Sequence, residues 1–214
     1  MKRPRVILAD DHRIFLDGLK GLLEEEFDVV GMVEDGRTLV DEVEKLRPDI
    51  VVSDVSMPQL NGIEATLQIK KIDPEVKVIL LTMHGDATYA TRGFDAGASG
   101  YVMKQAATHE LVTAINEAMR GRTYVTPMIA GDLIRSYRGN GDIKPDDIRG
   151  KLTPRQREVL QLIAEGLSTK EVADKLNISA RTVEFHKYRM MQDLNLDTST
   201  ELIHFAIKHG IISI

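Results

Sequence analysis

Five positions far apart in the chain carry side chains suited to one piece of chemistry. Asp10 and Asp11 follow the apolar run Arg5–Ala9, and Asp54 follows Asp49–Ser53. Thr82 closes Lys77–Thr82, and Lys104 follows Gly100–Met103. If each run is a strand of one parallel sheet, all five groups meet on the rim where such sheets bind ligands. Three carboxylates packed together repel one another and raise their own pKa values unless a cation compensates. Oxygen donors, with no cysteine in the chain and no clustered histidines, select Mg2+ (or Mn2+) over zinc. A lysine beside them offers a compact positive charge for a phosphoryl oxygen. The set suits phosphoryl transfer in which a carboxylate is the nucleophile and becomes an aspartyl-phosphate. Singly, each aspartate reads as a helix cap or a solvated loop residue. The convergence of all five carries the chemistry. His12, His84 and His109 read as surface residues.

The elements that must position these groups follow from the hydrophobic pattern. Arg5–Ala9, Val29–Val33, Asp49–Ser53, Lys77–Thr82 and Gly100–Met103 are rich in Val, Ile and Leu without strict polar alternation. Such runs read as strands buried on both faces. Between them apolar residues return at helical spacing. Ile14, Leu19, Leu22 and Leu23 mark the first helix. Leu39, Val40, Val43 and Leu46 mark the second, capped by Asp35 and stopped by Pro48. Ile63, Leu67 and Ile69 mark the third, before Pro74. The fourth, from Ala87 to Ala96, is weakly apolar. Leu111, Val112, Ile115 and Met119 mark the fifth, with Thr108 as the expected N-cap. The repeated alternation predicts an α/β domain over residues 1–122 with a doubly wound, five-stranded parallel sheet. Residues 123–150 read as a linker holding one short helix, Met128–Arg138, before turn chemistry at 139–142 and 144–147.

Residues 151–214 read as all-α. Three helices open on a capping box: Thr153/Gln156 with Pro154 at the first helical position, Ser168/Glu171 and Thr198/Glu201. Ser179 caps a further helix without the box, and Gly166 and Gly210 stand where helices should stop. Four short helices make a small bundle, and the pair joined around Leu176–Ser179 has helix-turn-helix form.

Composition limits the function classes. The chain has 214 residues, 43% apolar and 29% charged, which leaves room for two domains with real cores. No run approaches the length of a membrane span, and the basic start is followed by too few apolar residues for a signal peptide. The protein is therefore expected in the cytoplasm, away from membranes. Its net charge of −5 is uneven: residues 1–150 hold 19 basic and 25 acidic groups, and residues 151–214 hold 9 and 8. The second part, at net +1, is compatible with nucleic acid.

Read together, Leu8-Ala9-Asp10-Asp11, Asp54-Val55-Ser56-Met57-Pro58-Gln59-Leu60-Asn61-Gly62, Leu81-Thr82-Met83-His84 and Ala96-Gly97-Ala98-Ser99-Gly100-Tyr101-Val102-Met103-Lys104 resemble the receiver of two-component response regulators. The resemblance covers roughly residues 4–122 and implies a flavodoxin-like fold. It implies Asp54 as phospho-acceptor and Mg2+ held by Asp11, Asp54 and the Ser56 backbone carbonyl, with Asp10 acting through water. Lys104 and Thr82 would contact the phosphoryl group, and Tyr101 would follow Thr82 inward as a conformational switch. Gln105 departs from the pattern, since many receivers have proline after the lysine. That leaves the peptide geometry there open.

Residues 151–214 resemble the LuxR-type helix-turn-helix of NarL/FixJ-type regulators. The carrying segments are Leu152–Leu160, Gly166–Ala173 and Leu176–His186. The resemblance implies that the helix from Ala180 to Asp193 enters the DNA major groove. Val183, Met190 and Leu194 return at helical spacing and should face the bundle. Arg181, Thr182, Glu184, Phe185, Lys187, Tyr188 and Arg189 should then lie on or near the outer face, where such side chains contact phosphates or base edges. Glu184 stands where many relatives carry lysine. Leu202, Ile203, Phe205, Ile207, Ile211, Ile212 and Ile214 exceed what one buried face needs; they read either as extra core coverage or, as the resemblance implies, as a homodimer interface on the last helix. The expected partners are a sensor histidine kinase, double-stranded DNA, a second copy and RNA polymerase. The expected activity is phosphorylation-controlled transcription regulation, not turnover catalysis. An Asp-nucleophile phosphatase would need an acid two residues after Asp54, where Ser56 cannot serve. A binding module that never takes a phosphoryl group would have no use for the full acidic set.

Overall fold

The structure, a computed structural model, describes residues 3–83, 85, 87–138 and 151–212. His84, Ile214 and the turn segments within 139–150 lie outside the described residues. The chain divides into two compact units, Met1–Asn140 and Gly141–Ile214.

The first unit alternates strand and helix: β1 (Arg5–Ala9), α1 (Arg13–Leu23), β2 (Asp28–Val33), α2 (Gly36–Leu46), β3 (Ile50–Asp54), α3 (Gly62–Ile72), β4 (Lys77–Thr82), α4 (Ala87–Asp95), β5 (Gly100–Met103), a 3-10 turn (Lys104–Ala106), α5 (Ala107–Met119), β6 (Tyr124–Val125) and α6 (Pro127–Arg138). All strands pair in parallel, in the order β2-β1-β3-β4-β5-β6. Alternate residues of each strand face opposite layers. Val6, Leu8, Ile50, Val52, Ile79 and Leu81 pack with α1 and α5. Ile7, Ala9, Val51, Val78, Leu80 and Tyr101 pack with α2, α3, α4 and α6. Both faces are therefore dry, which is why the strands show no polar alternation.

Three expectations need correction. The sheet has six strands, not five: Tyr124 and Val125 pair with Gly100 and Tyr101. Two residues fall below the run length at which a strand shows in sequence, and Pro127 follows at once. Residues 123–138, expected as linker, contribute β6 and α6, and Ile129 and Leu133 are buried in the first unit's core. Finally, α5 begins at Ala107 with Ala106 in the cap position, so Thr108 lies inside its first turn.

The second unit holds α7 (Pro154–Ala164), α8 (Thr169–Leu176), α9 (Ala180–Leu194) and α10 (Ser199–Lys208). The capping boxes at Thr153, Ser168 and Thr198 close as expected, and Ser179 accepts a hydrogen bond from the Thr182 amide. α8 and α9 end on left-handed Asn177 and Asn195. Leu160, Val172, Val183, Met190, Leu202 and Ala206 build one core.

Candidate functional site

The sheet reverses its direction of winding between β1 and β3, so their carboxyl ends open the crevice where this topology places ligands. Asp10 follows β1 and Asp54 ends β3; both are buried, at 0% and 4% exposure. The local sequence fixes this rim tightly. A Cβ on Gly62 would sit 2.1 Å from the Asp54 carbonyl oxygen, and one on Gly36 would sit 1.8 Å from that of Leu60. Only glycine allows α3 and α2 to start so close to the β3 loop. Gln59 turns through a positive φ, and Asn61 then caps α3 through the Glu64 amide.

Lys104 bridges the two aspartates. Its Nζ lies 2.8 Å from Asp54 Oδ2 and 2.6 Å from Asp10 Oδ2, and 5.0 Å above the Phe15 ring. The Asp10 carboxylate is therefore paired with the same ammonium as Asp54. Burial works against the Lys104 charge, but hydrogen bonding and coulombic attraction to Asp10 and Asp54 outweigh it, and its pKa is raised. Burial, with a smaller push from nearby Asp10, raises the Asp54 carboxyl to about 6 against the lowering effect of Lys104 and of the Ser56 backbone amide. One lysine therefore faces two buried carboxylates, and the pocket carries surplus negative charge.

Asp11 is more open. His12 Nδ1 lies 2.8 Å from Asp11 Oδ1 and 3.3 Å from Asp10 Oδ1, so Asp10, Asp11 and His12 form one group of metal-capable donors. Thr82 is buried at the end of β4, level with Met103 on β5. Tyr101 is fully buried, its ring 6.4 Å from that of Phe94. Ser56 lies in the loop after Asp54. Lys104–Ala106 forms a 3-10 turn, and no cis peptide occurs among the described residues, Gln105 included. Asp10, Asp54 and Lys104 are thus in direct contact, Asp11 adjoins Asp10 through His12, and Thr82 and Tyr101 line the neighbouring strands.

On α9, Val183 and Met190 are buried and Leu194 is half-buried. Arg181, Glu184, Phe185, Tyr188 and Arg189 are exposed, with Phe185 at 60%; Thr182 and Lys187 are half-buried. Several of these side chains also build the motif. Thr169 Oγ1 donates to Glu184 Oε1 at 2.6 Å, Thr182 Oγ1 pairs with Ser179 Oγ at 2.8 Å, and Gln192 Nε2 donates to the Tyr188 hydroxyl at 2.7 Å. Sequence reasoning missed Arg155. Its guanidinium donates to the Leu176 carbonyl and to Glu158, locking the end of α8 to α7. It also missed Phe15 and Thr126. The only sequence signal for Thr126 was a hydroxyl residue before Pro127.

Residues 6–116 match the response regulator receiver domain, and residues 150–206 match the bacterial regulatory proteins of the luxR family. The chain belongs to the response regulator family. The regulator is 34% identical to the transcriptional regulatory protein DegU of Brevibacillus brevis, over 98% of this chain and 95% of that protein. It is also 34% identical to the oxygen regulatory protein NreC of Staphylococcus carnosus, over 97% and 99%. Among solved structures it is similar to the RcsB response regulator of Salmonella typhimurium, with a TM-score of 0.59, 31% identity and coverage of 96% and 98%. An RcsB–DNA complex is similar at a TM-score of 0.58 and 31% identity, covering 95% and 98%. The regulator joins a receiver to a LuxR-type DNA-binding domain, the arrangement of a transcription regulator and not of a conventional enzyme. No helix among the described residues is long and apolar enough to cross a membrane.

Proposed function

We propose that a sensor histidine kinase phosphorylates Asp54 and that the modified regulator binds DNA as a homodimer to control transcription in the cytoplasm. The observation that carries this reading is the buried Asp54 carboxylate beside Lys104, with the buried Asp10 carboxylate sharing the same lysine in one crevice. Asp54 attacks the phosphorus of a phosphohistidine. The P–N bond breaks, the imidazole leaves with the bonding pair and takes a proton, and an acyl phosphate remains on Asp54. Lys104 and Thr82 hold the phosphoryl oxygens, and Tyr101 adjusts to the new position of Thr82.

The donor set fits Mg2+ or Mn2+: carboxylate oxygens, surplus negative charge and no thiolate. Asp10, Asp11, Asp54 and the Ser56 carbonyl would hold the ion. When bound, it supplies the positive charge that lets a phosphoryl group approach these carboxylates. The chain accepts the group without turnover catalysis on phosphate esters, since Ser56, two residues after Asp54, cannot protonate an ester leaving group.

On α9, Arg181, Thr182, Glu184, Phe185, Lys187, Tyr188 and Arg189 meet the DNA. Ile203 and Ile207, four residues apart on α10 and only half-buried, suit a second copy. RNA polymerase is a further partner of the DNA-bound form. RcsB has been solved as dimers on DNA, which supports the dimeric reading here. The deciding experiment is labelling by a small acyl phosphate with Mg2+, read by intact-protein mass. The wild type should gain one phosphoryl group and Asp54→Asn none. Retained labelling in the variant would remove Asp54 from this role.

A further inference from the structure

We infer that Thr126 is a positioning residue that clamps the Lys104 end of β5 to α6, so that α6 carries the receiver's state toward the DNA-binding unit. The inference rests on the acceptor reading above and adds the element through which it acts.

Thr126 is 2% exposed and stands between β6 and α6. Its backbone amide donates to the Tyr101 carbonyl at 3.0 Å. Its Oγ1 accepts from the amide of Met103, the residue before Lys104, at 3.0 Å and donates to Glu110 Oε2 on α5 at 2.6 Å. Its carbonyl accepts from the Ile129 and Ala130 amides in the first turn of α6. A threonine just before a helix commonly spends its hydroxyl capping that helix. Here the hydroxyl serves β5 and α5 instead, while the backbone starts α6.

One residue therefore joins Tyr101, the residue next to Lys104, α5 and α6. Further along, Ile129 and Leu133 of α6 are buried in the same cluster as Tyr101, Met103 and Ala90 of α4. Packed groups of this kind move between discrete arrangements instead of deforming smoothly. A shift of Lys104 and Tyr101 must break the Thr126 bonds, at the cost of desolvated partners, or move the start of α6. In the sequence, residues 139–150 follow α6 and lead into the helix-turn-helix unit.

The test is hydrogen–deuterium exchange on the full chain with Mg2+, with and without saturating beryllofluoride, for wild type, Thr126→Ser and Thr126→Val. Fluorine NMR establishes adduct formation in each. In the wild type, beryllofluoride should change exchange at 101–104 and also at 128–134 by several-fold. Thr126→Ser keeps the hydroxyl and should reproduce both changes. Thr126→Val should show the change at 101–104, while α6 exchanges faster in both states and no longer responds. A wild-type response confined to 101–104, or a full α6 response in Thr126→Val, would overturn the clamp. Absence of any wild-type adduct would instead overturn the acceptor reading, and this inference with it.

Discussion

Asp54 is a buried carboxylate only partly compensated by its lysine, and its proton affinity follows from that. Burial raises its pKa to about 6, so just below that pH the folded protein holds a proton that an ordinary carboxylate has released. A divalent ion needs the deprotonated form and must expel that proton. Mg2+ affinity should be flat above neutrality and fall by roughly tenfold per pH unit below about 6, where one proton is exchanged per ion bound. Isothermal titration at several pH values checks this; a flat profile down to pH 5 would mean that Asp54 is not a ligand. Gly62 sets the other residue-scale limit. Its missing Cβ is occupied by backbone of Asp54, which cannot swing aside. Gly62→Ala should destabilise the first unit by roughly 2–4 kcal/mol, measured by urea unfolding.

At the scale of elements, the helix-turn-helix is held by polar links that hydrophobic spacing does not reveal. Arg155 supplies donors to the last turn of α8 and to Glu158, and Thr169 ties α8 to Glu184 on α9. Arg155→Ala should lower the stability of the second unit by about 1–2 kcal/mol and weaken DNA binding without altering sequence preference; thermal melts and binding isotherms read the two effects. What sequence could show at this scale was set by signal length. Buried strands of four or more residues, capping boxes and Asp35 as a cap all stood out, because each is a local rule. β6 did not, since two paired residues make no run, and α6 could be read as a helix but not as part of the core. The site divides the same way. Asp10, Asp11, Asp54 and Lys104 announce themselves as polar residues ending apolar runs. Phe15, Arg155 and Thr126 act through contacts between distant segments, and their neighbours in the chain, apart from Pro127 after Thr126, do not mark them.

For the whole molecule, the uneven charge separates two tasks. The first unit gathers buried acidic groups at the rim of its sheet, while the second presents basic and aromatic side chains at near-zero net charge. One such domain has little electrostatic affinity for DNA, and two linked copies double the phosphate contacts. Lys187→Ala should weaken binding alike on all sequences and reduce the salt slope by roughly one, whereas Phe185→Ala should change which sequences are preferred. Isotherms at several salt concentrations on selected and random DNA separate these, and the reverse result would mean that the outer face of α9 is rotated from this assignment. The sixth strand has a consequence of its own for assembly. It ends the sheet with only two paired residues, and Pro127, which has no amide hydrogen to offer, follows Thr126. An edge so short gives another strand little to zip onto. On that side the sheet offers growth little to build on, so molecules crowded together would not run on into fibres through this edge.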